Sequence, residues 1–91
     1  MSSDAVWIFC AAKGRFPGGV FRDVVSAETW IKKHSLTGTL TRYPLDVSAY
    51  DWAIRQGWFV PSKPEHNTAD FVGQFTSASQ EHFHYEDGAR D

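Results

Sequence analysis

An unbroken apolar run, Ala5 to Ala12, is followed at once by the glycine- and proline-rich string Lys13-Gly14-Arg15-Phe16-Pro17-Gly18-Gly19. The run is far shorter than the roughly 18 residues of a membrane span, and Val6, Trp7, Ile8 and Phe9 favour extended backbone. It predicts a buried strand. Glycine supplies positive φ and proline fixes its own φ near −65°, so the string after it is turn chemistry. A short strand, Val20–Arg22, is expected to pair back on the first as a hairpin. A strand this apolar needs a second layer to bury it.

That layer is written as helices. Ser26 is a competent N-cap, Glu28 falls in the first turn, and Lys32, Lys33 and His34 fall in the last, which matches the helix macrodipole at both ends. Over Ser26–Ser35, Ala27, Trp30, Ile31 and His34 share one face, and Glu28 and Lys32 are spaced for an ion pair on the other. Gly38 marks the exit. Thr39–Tyr43 alternates as a strand with Leu40 inward, closed by Pro44. A second helix, Ser48–Gln56, is capped by Asp46 or Ser48 and stops at Gly57, a suitable residue to follow a helix. Trp58-Phe59-Val60 reads as a short strand, and Pro61–Asn67 reads as a loop. Thr68 can cap a single helical turn through Phe71. His82–Glu86 is the last strand, with Asp87-Gly88 ending the fold.

The reading is α+β: a two-layer domain with a small, mostly antiparallel sheet and two helices packed on one face. At 91 residues the chain makes one domain, and 42% hydrophobic content with 15% aromatic is enough to offset the entropy of folding. Residues 1–4 and 88–91 are expected to fray.

Charge narrows the partners. The formal net charge is −2, Lys32 and Lys33 are the only adjacent basic pair, and Glu81, Glu86, Asp87 and Asp91 outweigh Arg90 in the tail. A nucleic-acid backbone demands clustered Lys and Arg, so that class is disfavoured. With no apolar run approaching a span and no basic, apolar leader at the N-terminus, neither a membrane segment nor a signal peptide is expected. The single cysteine, Cys10, cannot form an internal disulfide and reads as a small buried hydrophobe, which suits a reducing cytoplasm.

The strings FPGGVF at Phe16–Phe21, WIKKHSLTGTLTRYPLD at Trp30–Asp46, YDWAIRQGWF at Tyr50–Phe59 and FTSASQEHFHYEDG at Phe75–Gly88 resemble a family of small bacterial domains of unknown function. The resemblance covers nearly the whole chain. It implies a short, soluble domain in the bacterial cytoplasm and carries no catalytic residue with it.

The densest group of functional side chains is Glu81-His82-Phe83-His84-Tyr85-Glu86-Asp87. On a strand His82, His84 and Glu86 share one side, with Phe83 and Tyr85 on the other. Two histidines and a carboxylate are ingredients of a Zn²⁺ or Fe²⁺ site, although no further ligand stands at recognisable spacing. A solvated strand face or a polar partner surface gives the same pattern. Nucleophilic catalysis would need Cys10, Ser77 or Ser79 beside a base such as His82 with an orienting Asp87, yet no Gly-x-Ser-x-Gly elbow or comparable frame is present. Phe16-Pro17-Gly18-Gly19 leads into a strand rather than a helix, so it is not a phosphate loop.

His34 is expected to be structural and His66 solvent-exposed. Trp52 falls on the polar side of its helix, opposite the arc of Val47, Ala49, Tyr50, Ala53 and Ile54. It is either covered by the Pro61–Asn67 loop or exposed as a binding contact. The functional expectation is a non-catalytic protein-binding module, an inhibitor, immunity or accessory factor, without a cofactor. Trp52, His82, His84, Glu86 and Asp87 are its contact residues. The alternative is a metal-binding domain or metal-dependent enzyme centred on His82, His84 and Glu86.

Overall fold

The apolar run becomes strand β1, Ala5–Ala11, in a computed structural model that describes residues 4–77 and 79–91. The lead-in Met1–Ser3, where fraying was expected, lies outside the described residues. The turn string returns the chain as β2, Gly19–Phe21, antiparallel to β1 with Trp7 opposite Phe21. Strand β3, Gly38–Pro44, takes the other edge of β1. β4, His82–Glu86, pairs with β3, and β5, Ala89–Arg90, pairs with β4. The sheet order is β2-β1-β3-β4-β5, antiparallel throughout. The architecture is α+β, as the pattern of elements predicts.

Period-two alternation decides what each face of this sheet carries. Trp7 and Phe9 of β1, Leu40 of β3 and Tyr85 of β4 are buried together with Ala27 and Ile31 of helix α1, Val24–Lys33. Phe21, Trp30, Leu36 and Phe83 pack around them. Trp7 stacks on Phe83 with ring centroids 5.5 Å apart, and Trp30 meets Phe9 edge-on at 5.6 Å. Each large side chain fully buried contributes about 1.5–3 kcal/mol, so these rings hold the two layers together. Gly38 admits no larger residue, since a Cβ there would lie 2.8 Å from the Cα of Ala11.

Helix α1 starts earlier than its hydroxyl suggests. Asp23, not Ser26, is the N-cap: its carboxylate accepts from the Ser26 backbone N–H at 2.8 Å. That hydrogen bond holds the Asp23 carboxyl below its ordinary value. Ser26 occupies the first-turn position whose N–H a cap must satisfy. The Glu28–Lys32 pairing is replaced by a longer-range one, for Glu28 binds Arg90 of β5 and Tyr85 of β4. His34 is exposed at the helix end, touching Trp30 with its ring edge.

The middle of the chain builds a second apolar cluster. Helix α2, Ala49–Arg55, is capped by Ser48, whose hydroxyl accepts from Asp51 N at 3.0 Å, and it gives way to Gly57 at φ 78°. Trp58-Phe59-Val60 is no strand. Phe59 instead turns into a ring cluster with Tyr50, His66, Phe71 and Phe75. The segment expected to be a plain loop contains a 3₁₀ turn, Pro64–Asn67, and Thr68 then caps α3, Ala69–Gln74, longer than a single turn. His66 is half-buried rather than solvent-exposed. Its ring meets Phe71 at 4.8 Å, and its Nδ1 accepts the N–H groups of Ser62 and Lys63. Helix α2 contacts β3, which ties this cluster to the sheet.

Past Asp87-Gly88 the chain turns back as β5. Both turn residues have positive φ, 52° and 87°, as a two-residue type I′ hairpin requires. The turn packs on the end of α1, where Gly88 N–H donates to Leu36 O at 2.9 Å and Asp87 N–H to Thr37 Oγ1 at 3.0 Å.

Candidate functional site

The face of the sheet that turns away from Trp7, Phe9 and Leu40 carries the chain's candidate chemistry. Cross-strand register sets Val20, Ile8, Thr41 and His82 in one row, and Cys10, Thr39 and His84 in the next. Cys10 is exposed, not a buried hydrophobe. Only alternate members of an apolar run can face the core, and Cys10 is of the wrong parity.

His82 and His84 come together, their ring centroids 5.0 Å apart and their planes perpendicular. The His82 Nδ1–H donates to the Gln80 carbonyl at 2.7 Å, which leaves Nε2 with the lone pair of the neutral ring. His84 Nδ1 is 3.4 Å from Thr39 Oγ1. Gln80 fixes the approach to this strand: it is 1% exposed, and its Nε2 donates to Arg42 O at 3.1 Å. An open pocket of about 290 Å³ is lined by Thr39, Thr41, Thr76, Ser77, His82 and His84. Among the described residues, four hydroxyls and two imidazoles line it, with no carboxylate, lysine or arginine.

The other expected site residues are placed less centrally. Glu86 shares the face of His84 and is exposed, but it lies four residues from His82, about 13 Å along an extended strand. Among the described residues, no three His, Cys, Asp or Glu side chains are placed to hold a metal ion together. Asp87 sits in the hairpin turn against Thr37. Trp52 is half-buried, and its ring meets that of Trp58 edge-on at 4.8 Å. Two residues along a helix turn by about 200°, so Trp52 looks away from the Tyr50 cluster and from Phe75, which leads to the pocket.

Among the described residues, no hydrogen bond joins a nucleophile candidate to an imidazole base. Cys10 and His84 are separated by β3, about 10 Å across two strand spacings. Ser77 lines the histidine pocket, but its Oγ is engaged by the Ser79 N–H at 3.1 Å, not by either imidazole.

Sequence reasoning missed the hydroxyls. Thr39 and Thr41 alternate with the buried Leu40, so their shared face was readable; their position opposite His84 and His82 depended on strand order. Thr76 and Ser77 reach the pocket through tertiary packing, for which no local pattern exists.

The whole of this arrangement falls within a match to a family model described as a domain of unknown function, DUF7710, over residues 6–91. The chain belongs to that family. No curated protein and no solved structure matches it. Among the described residues of this DUF7710 domain, no helix is long and apolar enough to cross a membrane.

Proposed function

We propose that this DUF7710 domain is a non-catalytic protein-binding module of the bacterial cytoplasm, an inhibitor, immunity or accessory factor, whose partner seats on the sheet face that presents His82 and His84. One observation carries the reading: the face is open, and beside the apolar Val20 and Ile8 it groups the hydroxyls of Thr39 and Thr41 with the imidazoles of His82 and His84. Thr39, Thr41 and His82 are half-buried on paired strands, while Cys10, His84 and Glu86 are exposed beside them. The half-buried Thr39, Thr41 and His82 have less rotamer freedom left to lose on association than exposed side chains, so hydrogen bonds to them carry a lower entropic cost. Glu86 and Asp87 stand at its end as a charged rim.

The absence of a second cysteine in the sequence supports a reducing setting. The slight negative charge supports a protein rather than a nucleic-acid partner. Trp58, 46% exposed beside Trp52, supplies an apolar anchor elsewhere on the surface.

The test is cross-linked capture from the cells that make the protein, followed by reconstitution of the captured partner with the purified domain. His82→Ala and His84→Ala should weaken the reconstituted complex at least tenfold while thermal unfolding stays unchanged. Equal affinity in both variants would move the interface off this face.

A further inference from the structure

We infer that His82 and His84 form a two-histidine chelate for a late first-row transition-metal ion, a site separate in kind from the protein contact proposed above. Two imidazoles bound through one nitrogen each to a tetrahedral ion at about 2.0–2.1 Å have ring centroids about 5.2 Å apart. The observed separation is 5.0 Å. Strand geometry sets this closeness, since residues two apart project from the same face of β4.

The tautomer also suits a metal. A backbone carbonyl only accepts, so the His82 Nδ1 at 2.7 Å from Gln80 O must carry its proton, and Nε2 is the free donor atom. A second partner on the far ring nitrogen is the arrangement that orients metal-binding histidines. Thr39 Oγ1, 3.4 Å from His84 Nδ1, can take the same role for the second ring when its oxygen accepts from Nδ1–H.

Charge decides between a cation and an oxyanion. Among the described residues no lysine or arginine lines the pocket, while Glu86 is exposed next along the same face. A neutral imidazole offers a lone pair, whereas an oxyanion would need donated protons and positive charge. The protein supplies two ligands only, so the remaining coordination positions belong to water. The hydroxyls of Thr41 and Ser77 stand in the pocket to hydrogen-bond it. Soft or borderline ions with an affinity for imidazole, Cu²⁺ above Zn²⁺, are the ones such a pair takes.

The experiment is calorimetric titration of the purified full chain with Cu²⁺ and with Zn²⁺, each followed by nitrogen NMR of the imidazoles. One ion per chain should bind in the micromolar range, Cu²⁺ tighter than Zn²⁺, with the Zn²⁺ complex shifting the Nε2 resonances of His82 and His84. His82→Ala and His84→Ala should each weaken binding at least tenfold, while His34→Ala should leave it unchanged. Binding kept in the His82/His84 double variant, or shifts confined to His34 and His66, would overturn the assignment, as would no binding at all. Because the titration uses the protein alone, its failure leaves the partner-binding reading standing.

Discussion

Tyr85 on β4 donates its phenol O–H to Oε2 of Glu28 on α1 at 2.5 Å, and Arg90 on β5 binds the same oxygen through Nε and Nη2. The Arg90 guanidinium also lies 3.9 Å from the Phe83 ring centroid. Helix α1 is thereby fastened at one carboxylate to the β4–β5 hairpin, across sequence separations of 57 and 62 residues. Tyr85 is 3% exposed, so its hydroxyl has little other company. Tyr85→Phe should lower the unfolding free energy by about 1 kcal/mol in urea, a modest figure because solvent reaches the Glu28 end. An unchanged urea midpoint would mean that the contact is idle.

The same contact makes stability depend on pH from both sides. The Tyr85 hydrogen bond, with Arg90, holds the Glu28 carboxyl below its ordinary value of 4.5. A depressed carboxyl contributes stability that is full above that value and is lost as pH falls through the folded-state pKa. Burial, then Glu28, pushes the Tyr85 phenol from 10.0 up to about 12. A raised phenol contributes stability that is full below pH 10 and is lost as pH rises towards 12. Denaturation midpoints should therefore sag at both extremes, and Glu28→Gln should flatten the acid limb between pH 5 and 3, roughly the range in which carboxylates titrate. An acid limb identical in the variant would show that other carboxylates carry it.

How much of this could be read from the chain depended on the range over which a residue acts. Leu40 inward, Ser48 and Thr68 as caps, Gly57 after its helix and the limits of β4 all follow from signals within a few residues. Cys10 was misjudged because a continuous apolar run hides its own period. Asp87-Gly88 is a strong hairpin signal, but the strand it leads into, Ala89–Arg90, is two residues long and too short to show an alternation. The Glu28–Arg90 pairing and the arrival of Thr76 and Ser77 beside His82 arise only when the strands assemble, and no sequence spacing encodes them.

Gly38 and Gly73 should respond oppositely to alanine. At Gly38 a methyl meets the backbone of Ala11 at 2.8 Å and the Phe9 ring at the same distance. Backbone cannot yield cheaply, so Gly38→Ala should cost about 3 kcal/mol or leave the protein unfolded. At Gly73, inside α3, a methyl meets nothing within 4 Å. Gly73→Ala should raise stability by about 0.5–1 kcal/mol, read from the thermal midpoint.

The Cys10 thiol should react with an aromatic disulfide reagent in the native state, without denaturant. It is exposed on β1 beside Thr39, and reaction there needs no unfolding. Absorbance should rise by one thiol per chain on mixing, and Cys10→Ser should abolish it with an unchanged unfolding midpoint. Reaction only after urea is added would place the residue in the core.

Trp52 and Trp58 give the sharpest test of the α2 surface. Their rings meet edge-on at 4.8 Å, with Trp52 half-buried and Trp58 46% exposed. Edge-to-face aromatic pairs are worth about 0.5–1.5 kcal/mol beyond the area they bury. Trp52→Ala should cost more than Trp58→Ala, because it removes the more buried ring. The double variant should then cost less than the sum of the two, by a coupling within that same range. Urea denaturation of the four proteins measures it. A coupling near zero would mean that the rings do not meet in solution and that Trp52 is free to serve a partner. A clear coupling makes Trp58 the cover of Trp52 and leaves Trp58, rather than Trp52, as the aromatic side chain that a partner would reach first.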